Sequence, residues 1–194
     1  QISLWATALA LAIGLVAALL RLSTSYSGRY LSIAYIELVR NTPLLVQLYV
    51  FYFILAPILG VPRFWTGVIA LAAFEGAFAA EIIRAGILSI GQGQWDAASA
   101  LGLSRWRSYR LVVLPQAFRI MLPPLAGVLV SLIKHSAIVS VIAVFDLTNE
   151  ARNVISDTFM SFEIWFTVAA IYLALTVSLS AGIGILERRL AVGR

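Results

Sequence analysis

The sequence predicts an all-α integral membrane protein, a helical bundle with five transmembrane helices. Of its 194 residues, 61% are apolar and 12% are charged, against about 25% charged in an ordinary soluble domain. The apolar residues fall in runs long enough to cross a bilayer, which takes about 20 helical residues. The composition also excludes disorder, and the lack of cysteine excludes a disulfide scaffold or a Cys-ligated metal site.

The first transmembrane helix is predicted at the start of the chain. Nineteen residues from Ile2 to Leu20 carry no charge, which is long enough to span and longer than the apolar part of a signal peptide. No basic segment precedes them, so no signal peptide is expected, and Gln1 in place of Met is consistent with a fragment of a longer chain. The polar stretch Arg21 to Arg29 is predicted to be the connection to the next helix.

The second apolar region is predicted to be interrupted. It runs from near Tyr30 to Gly60 and contains Asn41-Thr42-Pro43. Proline removes one helical hydrogen bond, so a kink or break is expected, and neighbouring groups must compensate for it. We expect Asn41, Thr42 and Gln47 to satisfy this break, although they could also line a transport path.

The third apolar segment, Phe64 to about Ile90, contains three charged residues, Glu75, Glu81 and Arg84. An isolated charge in the middle of the membrane costs about 2.5 to 3.5 kcal/mol on insertion scales, so these side chains should face the bundle interior or a water-filled path. Glu81 and Arg84 lie three residues apart on one helical face, which predicts an ion pair near one end of the helix.

Two further spans follow a polar region at 91–110. The fourth is predicted between Val112 and Lys134, with a semi-apolar tail to Phe145. After a polar segment at 146–163, the fifth runs from Ile164 to Leu186 and is closed by Glu187-Arg188-Arg189.

The basic residues predict the orientation, because cytoplasmic connections carry an excess of Lys and Arg. Of the 14 basic residues, ten fall in one set of alternate connections and two in the other. This bias places the N-terminus outside and the C-terminus in the cytoplasm. The net charge of +5 therefore reflects topology rather than nucleic-acid binding, which needs clustered basic residues on a solvated face. The first set is Arg21, Arg29, Arg84, Arg105, Arg107, Arg110, Arg119, Arg188, Arg189 and Arg194; the second is Arg63 and Arg152.

The cytoplasmic loop after the third span is predicted to be structured. Asp96 to Leu101 is a run of helix formers with an acid in its first turn, and Gly102 suits a left-handed position that ends the helix. The loop is therefore either a surface for a partner or a stable connector, and residue physics alone leaves both open.

The loop resembles the EAA loop of ABC transporter permeases. That pattern reads Glu-Ala-Ala, three residues, Gly, nine residues, Ile, one residue, Leu-Pro. Here it is Asp96-Ala97-Ala98, Gly102, Val112 and Leu114-Pro115, with Asp for Glu and Val for Ile at unchanged spacing.

Three flanking segments are similar to the polar amino acid permeases of the histidine, arginine and glutamine type. They are residues 39–47, 76–84 with the following Gly93-Gln94, and 114–119. One departure is Lys134-His135-Ser136-Ala137, where family members often carry Lys, an acidic or amide residue, Thr or Ser, and Ser. If this segment contacts substrate, the specificity of the chain differs from that of the commonest members.

This resemblance implies the type I ABC importer (MetI-like) permease fold, with residues 1–194 as the transmembrane domain and a coupling loop at about 91–110. It implies a subunit that translocates polar amino acids across the bacterial inner membrane. The implied partners are two cytoplasmic ATPase subunits, a second permease subunit, identical or paralogous, and an extracytoplasmic amino-acid-binding protein. The chain itself is expected to be no enzyme and to bind no cofactor, because it lacks a P-loop. ATP and Mg are expected in the ATPase.

The resemblance also implies that the EAA helix sits in a groove of the ATPase. It assigns the coupling contact to Asp96, Ala97, Ala98, Gly102 and Leu103. A short rigid helix in that position can transmit closure of the ATPases as rigid-body rocking of the spans.

Substrate contacts are predicted among polar groups within the spans, because a zwitterion needs an acceptor for its ammonium and donors for its carboxylate. The candidates are Glu75, Lys134, Ser136, Asn41 and Gln47. Glu75 lies about eleven residues from the outer end of its helix, near the middle of the membrane. It is either a recognition group for an ammonium or cationic side chain or the partner of Lys134 in an internal ion pair.

Other functions are less consistent with the sequence. His135, the single histidine, is expected to be a partner for nearby polar groups rather than a proton relay or metal ligand. The main alternative is a secondary transporter or channel for small polar solutes, but five spans without an internal repeat do not suit inverted-repeat transporters. A membrane enzyme is also disfavoured, since neither paired carboxylates near a histidine nor a Ser/His/Asp set is found.

Overall fold

A computed structural model of the protein describes residues 1–191, apart from the side chains of residues 186–191, and this part of the chain is helical without strands. The ten α-helices are α1 Ile2–Leu22, α2 Tyr26–Arg40, α3 Leu44–Val50, α4 Ala56–Leu59, α5 Arg63–Leu88, α6 Gln92–Ala100, α7 Arg105–Ser108, α8 Leu114–Ser136, α9 Leu147–Thr158 and α10 Ser161–Ala191. Two π-helical turns, Phe51–Leu55 and Tyr109–Val113, join α3 to α4 and α7 to α8, and a 3₁₀ segment, Ala137–Ile142, extends α8.

The helices confirm the predicted number of spans. Four continuous helical stretches in the described residues are long and apolar enough to cross a membrane: Ile2–Leu22, Arg63–Leu88, Arg105–Ile142 and Ser161–Ile185. A fifth span results if α2 and the α3–α4 stretch count as one broken segment. The predicted basic end at Glu187-Arg188-Arg189 and Arg194 lies outside the described side chains.

The connections differ from the prediction in two places. The polar stretch Arg21 to Arg29 is not one loop, because α1 continues to Leu22 and α2 already begins at Tyr26. Ser25 caps α2 by accepting a hydrogen bond from the Gly28 N–H at 3.3 Å. The fourth span begins at Arg105 rather than at Val112, so about a sixth of this 38-residue stretch comes from a region that is polar in sequence.

The break predicted in the second apolar region is present as a sharp turn. The axes of α2 and the α3–α4 stretch differ by 111°. Gln47 donates from Nε2 to the carbonyl oxygens of Val39 at 2.7 Å and Thr42 at 3.0 Å, and the Asn41 amide donates to the carbonyl four residues before it. These contacts confirm that polar side chains satisfy the backbone groups that Pro43 leaves open.

Both π-helical turns lie just before a proline. The Ala56 N–H bonds to the Phe51 carbonyl and the Leu114 N–H to the Tyr109 carbonyl, in each case five residues back. The next residues are Pro57 and Pro115, which lack an N–H and whose rings clash with the carbonyl four residues back. A π-helical turn widens the helix at that point, so the chain passes each proline without ending the helix.

Helices α1 and α5 pack closely through small residues. Ala6, Ala10, Gly14 and Ala18 recur at every fourth position of α1 and are all buried. A Cβ on Gly14 would lie 2.7 Å from the Cβ of Ala79 on α5. This is the spacing by which membrane helices bring their backbones together. Helix α5 is the centre of the bundle, whereas most of the described surface of α10 is exposed.

Candidate functional site: the coupling helix and the mid-bundle carboxylate

The predicted coupling helix is present as α6. It begins at Gln92, four residues before Asp96, so the prediction that Asp96 lies in the first turn is wrong. The Asp96 carboxylate instead accepts a hydrogen bond from the Gln92 side chain at 3.1 Å. The helix therefore begins one turn earlier than predicted, with Gly91 in an extended conformation at its N-cap.

The end of α6 confirms the role predicted for Gly102. Its φ of 71° is left-handed, which glycine adopts without steric cost. The Gly102 N–H bonds to the Ser99 carbonyl at 2.9 Å and the Leu103 N–H to the Ala98 carbonyl at 3.1 Å. Together these two bonds form a Schellman motif, which fixes the direction of the chain after α6.

The predicted coupling residues do not all face outward. Asp96, Ala97 and Gly102 are exposed and Leu103 is half-buried, but Ala98 is 2% exposed and packs inward. Sequence spacing missed two large exposed apolar groups beside α6, Leu101 at 80% and Trp106 at 70% exposure.

Helix α6 is anchored to the helix that follows it. The Gln116 amide donates to the Gln94 side-chain oxygen at 3.0 Å. The rings of Trp95 and Tyr109 lie 5.5 Å apart. These four residues, called here the α6 anchor, connect α6 directly to the first part of the Arg105–Ile142 span.

In the middle of the bundle, Glu75 pairs with His135. The Glu75 side chain is 3% exposed, and its Oε1 lies 2.6 Å from His135 Nδ1. The edge of the His135 ring also packs against Phe74, with centroids 5.6 Å apart. Helix α8 directs His135, and not Lys134, towards Glu75; the exposed Lys134 forms no ion pair with a described residue. Glu75 is therefore in an internal pair, as one of the two alternatives predicted, but its partner is His135 and not Lys134. The prediction that His135 is a partner for a nearby polar group is confirmed.

The other predicted substrate residues lie elsewhere. Asn41 and Gln47 are at the α2–α3 break, where their amides bond to backbone carbonyls. Ser136 is buried and donates to the Ile133 carbonyl at 2.7 Å. Of the five candidates, only Glu75 is a buried charged group.

Glu81 binds arginines from three helices. Its carboxylate lies 2.9 Å from Arg84 on α5, 2.6 Å from Arg21 on α1 and 4.0 Å from Arg40 on α2. The Arg84 pair confirms the prediction from three-residue spacing. Arg21 and Arg40 were missed because they come from distant parts of the sequence.

Arg40 also stacks on an aromatic ring of α5. Its guanidinium carbon lies 5.3 Å from the centroid of Phe78, within the range of a cation–π contact. The Phe78 ring in turn lies 5.2 Å from that of Phe74. Arg40, Phe78, Phe74 and His135 thus form a continuous row, called here the α5 row.

A pocket of about 690 Å³ lies at the end of the bundle where α1 begins. Arg63 and Asp146 line it, and the Arg63 guanidinium donates to the Ala143 carbonyl at 3.4 Å. Asp146 caps α9, since its Oδ1 accepts the Asn149 N–H at 2.8 Å, but its buried Oδ2 has no described hydrogen-bond partner. Burial raises the pKa of Asp146, while the hydrogen bond from Asn149 acts in the opposite direction.

The family described as "Binding-protein-dependent transport system inner membrane component" matches residues 10–192 of the chain. The chain belongs to this family. It is therefore a multi-pass membrane permease subunit of an ABC transporter and not itself an enzyme. The ATPase is a separate partner, and the family generally works with substrate-binding partners.

Individual relatives of this ABC permease align over most of their length. The chain is 40% identical to "Probable glutamine ABC transporter permease protein GlnM" of Bacillus subtilis, over 92% of the chain and 83% of the relative. It is 38% identical to "Glutamine transport system permease protein GlnP" of Escherichia coli K12, over 99% and 91%. It is 37% identical to "L-cystine transport system permease protein TcyB" of Bacillus subtilis, over 92% and 77%.

Solved structures of ABC importers have the same fold. A chain from the crystal structure of an amino acid ABC transporter with histidines superposes with a TM-score of 0.91 at 39% identity, over 97% of this permease and 88% of that chain. An inward-facing MetNI methionine ABC transporter gives 0.80 at 18% identity, over 97% and 91%; this second likeness concerns the fold alone.

Proposed function

We propose that this permease imports polar amino acids across the bacterial inner membrane, driven by ATP. The single observation that carries the chemical part is Glu75, a carboxylate buried in the middle of a membrane helix and bound to His135 at 2.6 Å. The names of the relatives support the substrate class, because glutamine and cystine are both polar amino acids.

The proposed role of Glu75 is to bind the ammonium group of the amino acid. Ionisable groups at this depth are costly and mark substrate paths by default. His135 is 37% exposed whereas Glu75 is 3% exposed, so a substrate approaching from the open side meets His135 first. When the substrate ammonium replaces the His135 imidazole, the Glu75 carboxylate keeps a hydrogen-bond donor. The exchange therefore leaves no unpaired charge buried in the bundle.

The remaining predicted substrate residues are assigned supporting roles. Lys134, exposed beside His135, supplies a cation near the carboxylate of the substrate. Ser136, Asn41 and Gln47 complete the polar lining, although their described hydrogen bonds to the backbone already occupy donors of all three. We therefore expect mutation of Glu75 to reduce transport more than mutation of any of these other residues.

The proposed coupling contact is made by Asp96, Ala97, Ala98, Gly102 and Leu103. The exposed members contact the ATPase, while Ala98 holds the packing beneath them. Leu101 and Trp106 add the apolar area that such a contact requires, since interface cores are enriched in aromatic residues.

The proposed assembly contains two cytoplasmic ATPase subunits, a second permease subunit, identical or paralogous, and an extracytoplasmic amino-acid-binding protein. Residues 1–194 form the transmembrane domain, with the N-terminus outside and the C-terminus in the cytoplasm. ATP and Mg bind to the ATPase subunits.

Uptake by the complete complex in proteoliposomes tests this proposal. With binding protein outside and ATP inside, radiolabelled L-glutamine should accumulate, and Glu75→Gln should reduce the rate by about tenfold or more. Glu163→Gln is the matched control, because Glu163 is exposed at the start of α10. Uptake that follows an ion gradient without ATP would contradict the proposal in favour of a secondary transporter. Unchanged affinity and selectivity in Glu75→Gln would remove Glu75 from the site.

A further inference from the structure

We propose that Arg40 is a second substrate station, which binds the α-carboxylate of the amino acid on its way from Glu75 to the cytoplasm. This inference rests on the proposed function, since it names a further binding residue on the same path. It is carried by the depth of Arg40, its available donors and its place in the α5 row.

Arg40 lies too deep to be an ordinary interfacial cation. Its guanidinium stacks on Phe78, which is fifteen residues after Arg63, the first residue of α5. At 1.5 Å per residue this is about 22 Å along the helix, and ten further residues separate Phe78 from the end of α5 at Leu88. A cation at this depth is costly unless it faces a partner or a water-filled path.

The hydrogen-bond donors of Arg40 are available. Glu81 is 4.0 Å away, beyond hydrogen-bond distance, and already binds Arg21 and Arg84 at 2.6 and 2.9 Å. Three guanidinium groups therefore share one carboxylate, which leaves local positive charge in excess. The Arg40 side chain is 41% exposed, so an incoming anion can reach it.

The Arg40 guanidinium lies over the Phe78 ring, 5.3 Å from its centroid. A guanidinium stacked on a ring presents its edge, with two parallel N–H donors, to a carboxylate in a bidentate arrangement. The free α-carboxylate of an amino acid matches this geometry. A lysine at this position would provide charge without the planar fork.

The α5 row connects Arg40 with the proposed ammonium site. Phe74 and Phe78 are separated by one helical turn on the same face of α5, and their rings link His135 to Arg40 through contacts of 5.2 to 5.6 Å. Because the Glu75–His135 pair must face a path rather than lipid, the row that continues from it faces the same path. Two aromatic rings separate the opposite charges, so the ammonium and the carboxylate are bound in succession rather than together.

The test measures how strongly the carboxylate contributes to binding. The purified complex of permease and ATPase, without binding protein, is titrated with tritiated L-glutamine, which is then displaced by unlabelled L-glutamine or by L-glutaminamide, whose α-carboxylate is replaced by an amide. The wild type should prefer glutamine by about tenfold or more, as expected for a charged hydrogen bond. In Arg40→Gln the preference should fall below about threefold, and Arg40→Lys should be intermediate.

Three further variants separate the outcomes. Arg29→Gln is the matched control on the same helix, exposed and outside the α5 row, and should keep the wild-type preference. Glu75→Gln should weaken the binding of both ligands at the first station and leave unchanged the preference for glutamine that Arg40 sets at the second. A retained preference in Arg40→Gln, or its loss in Lys134→Gln instead, overturns the inference alone. A wild-type complex that binds none of the twenty amino acids overturns the proposed function and the inference with it.

Discussion

His135 Nδ1 lies 2.6 Å from Glu75 Oε1 and thereby joins α8 to α5 in the middle of the bundle. His135 comes from a span whose other end contacts α6, the proposed coupling helix, and Glu75 comes from the central helix α5. One hydrogen bond therefore links the proposed substrate site to the helix that the ATPase would move. Mutations can separate the contribution of this hydrogen bond to stability from its contribution to transport.

Mutations of Glu75 and His135 should have strongly non-additive effects on the free energy of unfolding. His135→Ala leaves the Glu75 carboxylate buried without this partner, so we expect a loss of about 1–3 kcal/mol. Adding Glu75→Gln to His135→Ala should recover part of that loss. Thermal unfolding of both single variants and the double variant measures the interaction energy. Additive effects of the two changes would contradict a direct pair.

Gly14 should tolerate no larger residue. A Cβ there would lie 2.7 Å from the Ala79 Cβ and 3.0 Å from the Gly76 carbonyl, so Gly14→Val must separate α1 from α5 at a cost of about 1–3 kcal/mol. Gly182→Val on α10 is the control, because a Cβ there meets nothing within 4 Å. Both are compared by the melting temperature of the purified permease; an equal effect of the two changes would refute the close packing.

Gly102→Asp should uncouple the permease from its ATPase. The left-handed backbone at 102 closes the Schellman motif, and a charged side chain there also alters the proposed contact surface. We expect normal membrane insertion but loss of substrate-stimulated ATP hydrolysis. Gly91→Asp is a matched control, since Asp is favoured at the N-cap position that Gly91 occupies. Normal transport by Gly102→Asp would remove the coupling assignment.

Loss of the α6 anchor should weaken transmission without removing the docking surface. Gln116→Leu breaks the 3.0 Å hydrogen bond to Gln94 while Leu101 and Trp106 stay exposed for the ATPase. The complex should therefore assemble and hydrolyse ATP at its basal rate, with stimulation by substrate reduced about twofold to fivefold. Arg119→Gln, exposed on the same helix as Gln116 and outside the anchor, is the comparison. Full stimulation of ATP hydrolysis by substrate in Gln116→Leu would show that this hydrogen bond is not needed for coupling.

The stability of the α9 cap should depend on pH through Asp146. Because burial raises its folded-state pKa, the folded protein holds the Asp146 proton more tightly than the unfolded chain does. The resulting stabilisation is present below the ordinary aspartate pKa of about 3.9 and is lost as pH rises through the raised value. Asp146→Asn keeps an N-cap oxygen and should flatten this part of the pH profile.

Melting temperatures from pH 4 to pH 7 check the Asp146 prediction. The difference between Asp146→Asn and the wild type should move in favour of the variant as the pH increases. The exposed Asp157 provides the control Asp157→Asn. A wild type that gains stability relative to Asp146→Asn over the same range would contradict the direction.

Local sequence patterns predicted the parts of this permease that depend on neighbouring residues. The spans were predicted from the length and apolarity of the segments. The left-handed turn at residue 102 was predicted because that residue is glycine, and the Glu81–Arg84 pair was predicted from helical spacing. A kink or break between α2 and α3 was predicted, but its angle of 111° was not, because proline indicates a lost hydrogen bond and carries no information about direction.

Contacts between distant segments could not be predicted in this way. Arg21 and Arg40 reach Glu81 from two other helices, and the choice of His135 over Lys134 as the partner of Glu75 depends on the rotation of α8. The early start of α2 was missed because its first residues are polar, and its buried Ser32 is satisfied only by a hydrogen bond to the Ala17 carbonyl of α1. Such features depend on packing rather than on local composition.

Gln116 of the α6 anchor and His135 of the Glu75–His135 bond lie on the same helix, α8. A small tilt of α8 at Gln116 therefore moves His135 by a larger distance. From Gln116 to His135 α8 runs nineteen residues, or about 28 Å. Over that length a tilt of about 5° displaces His135 by about 2.5 Å, which is enough to break its bond to Glu75. We therefore expect a small rotation of this span, imposed at the end that contacts α6, to decide whether the Glu75 carboxylate is bound by the His135 imidazole or is free to bind a substrate.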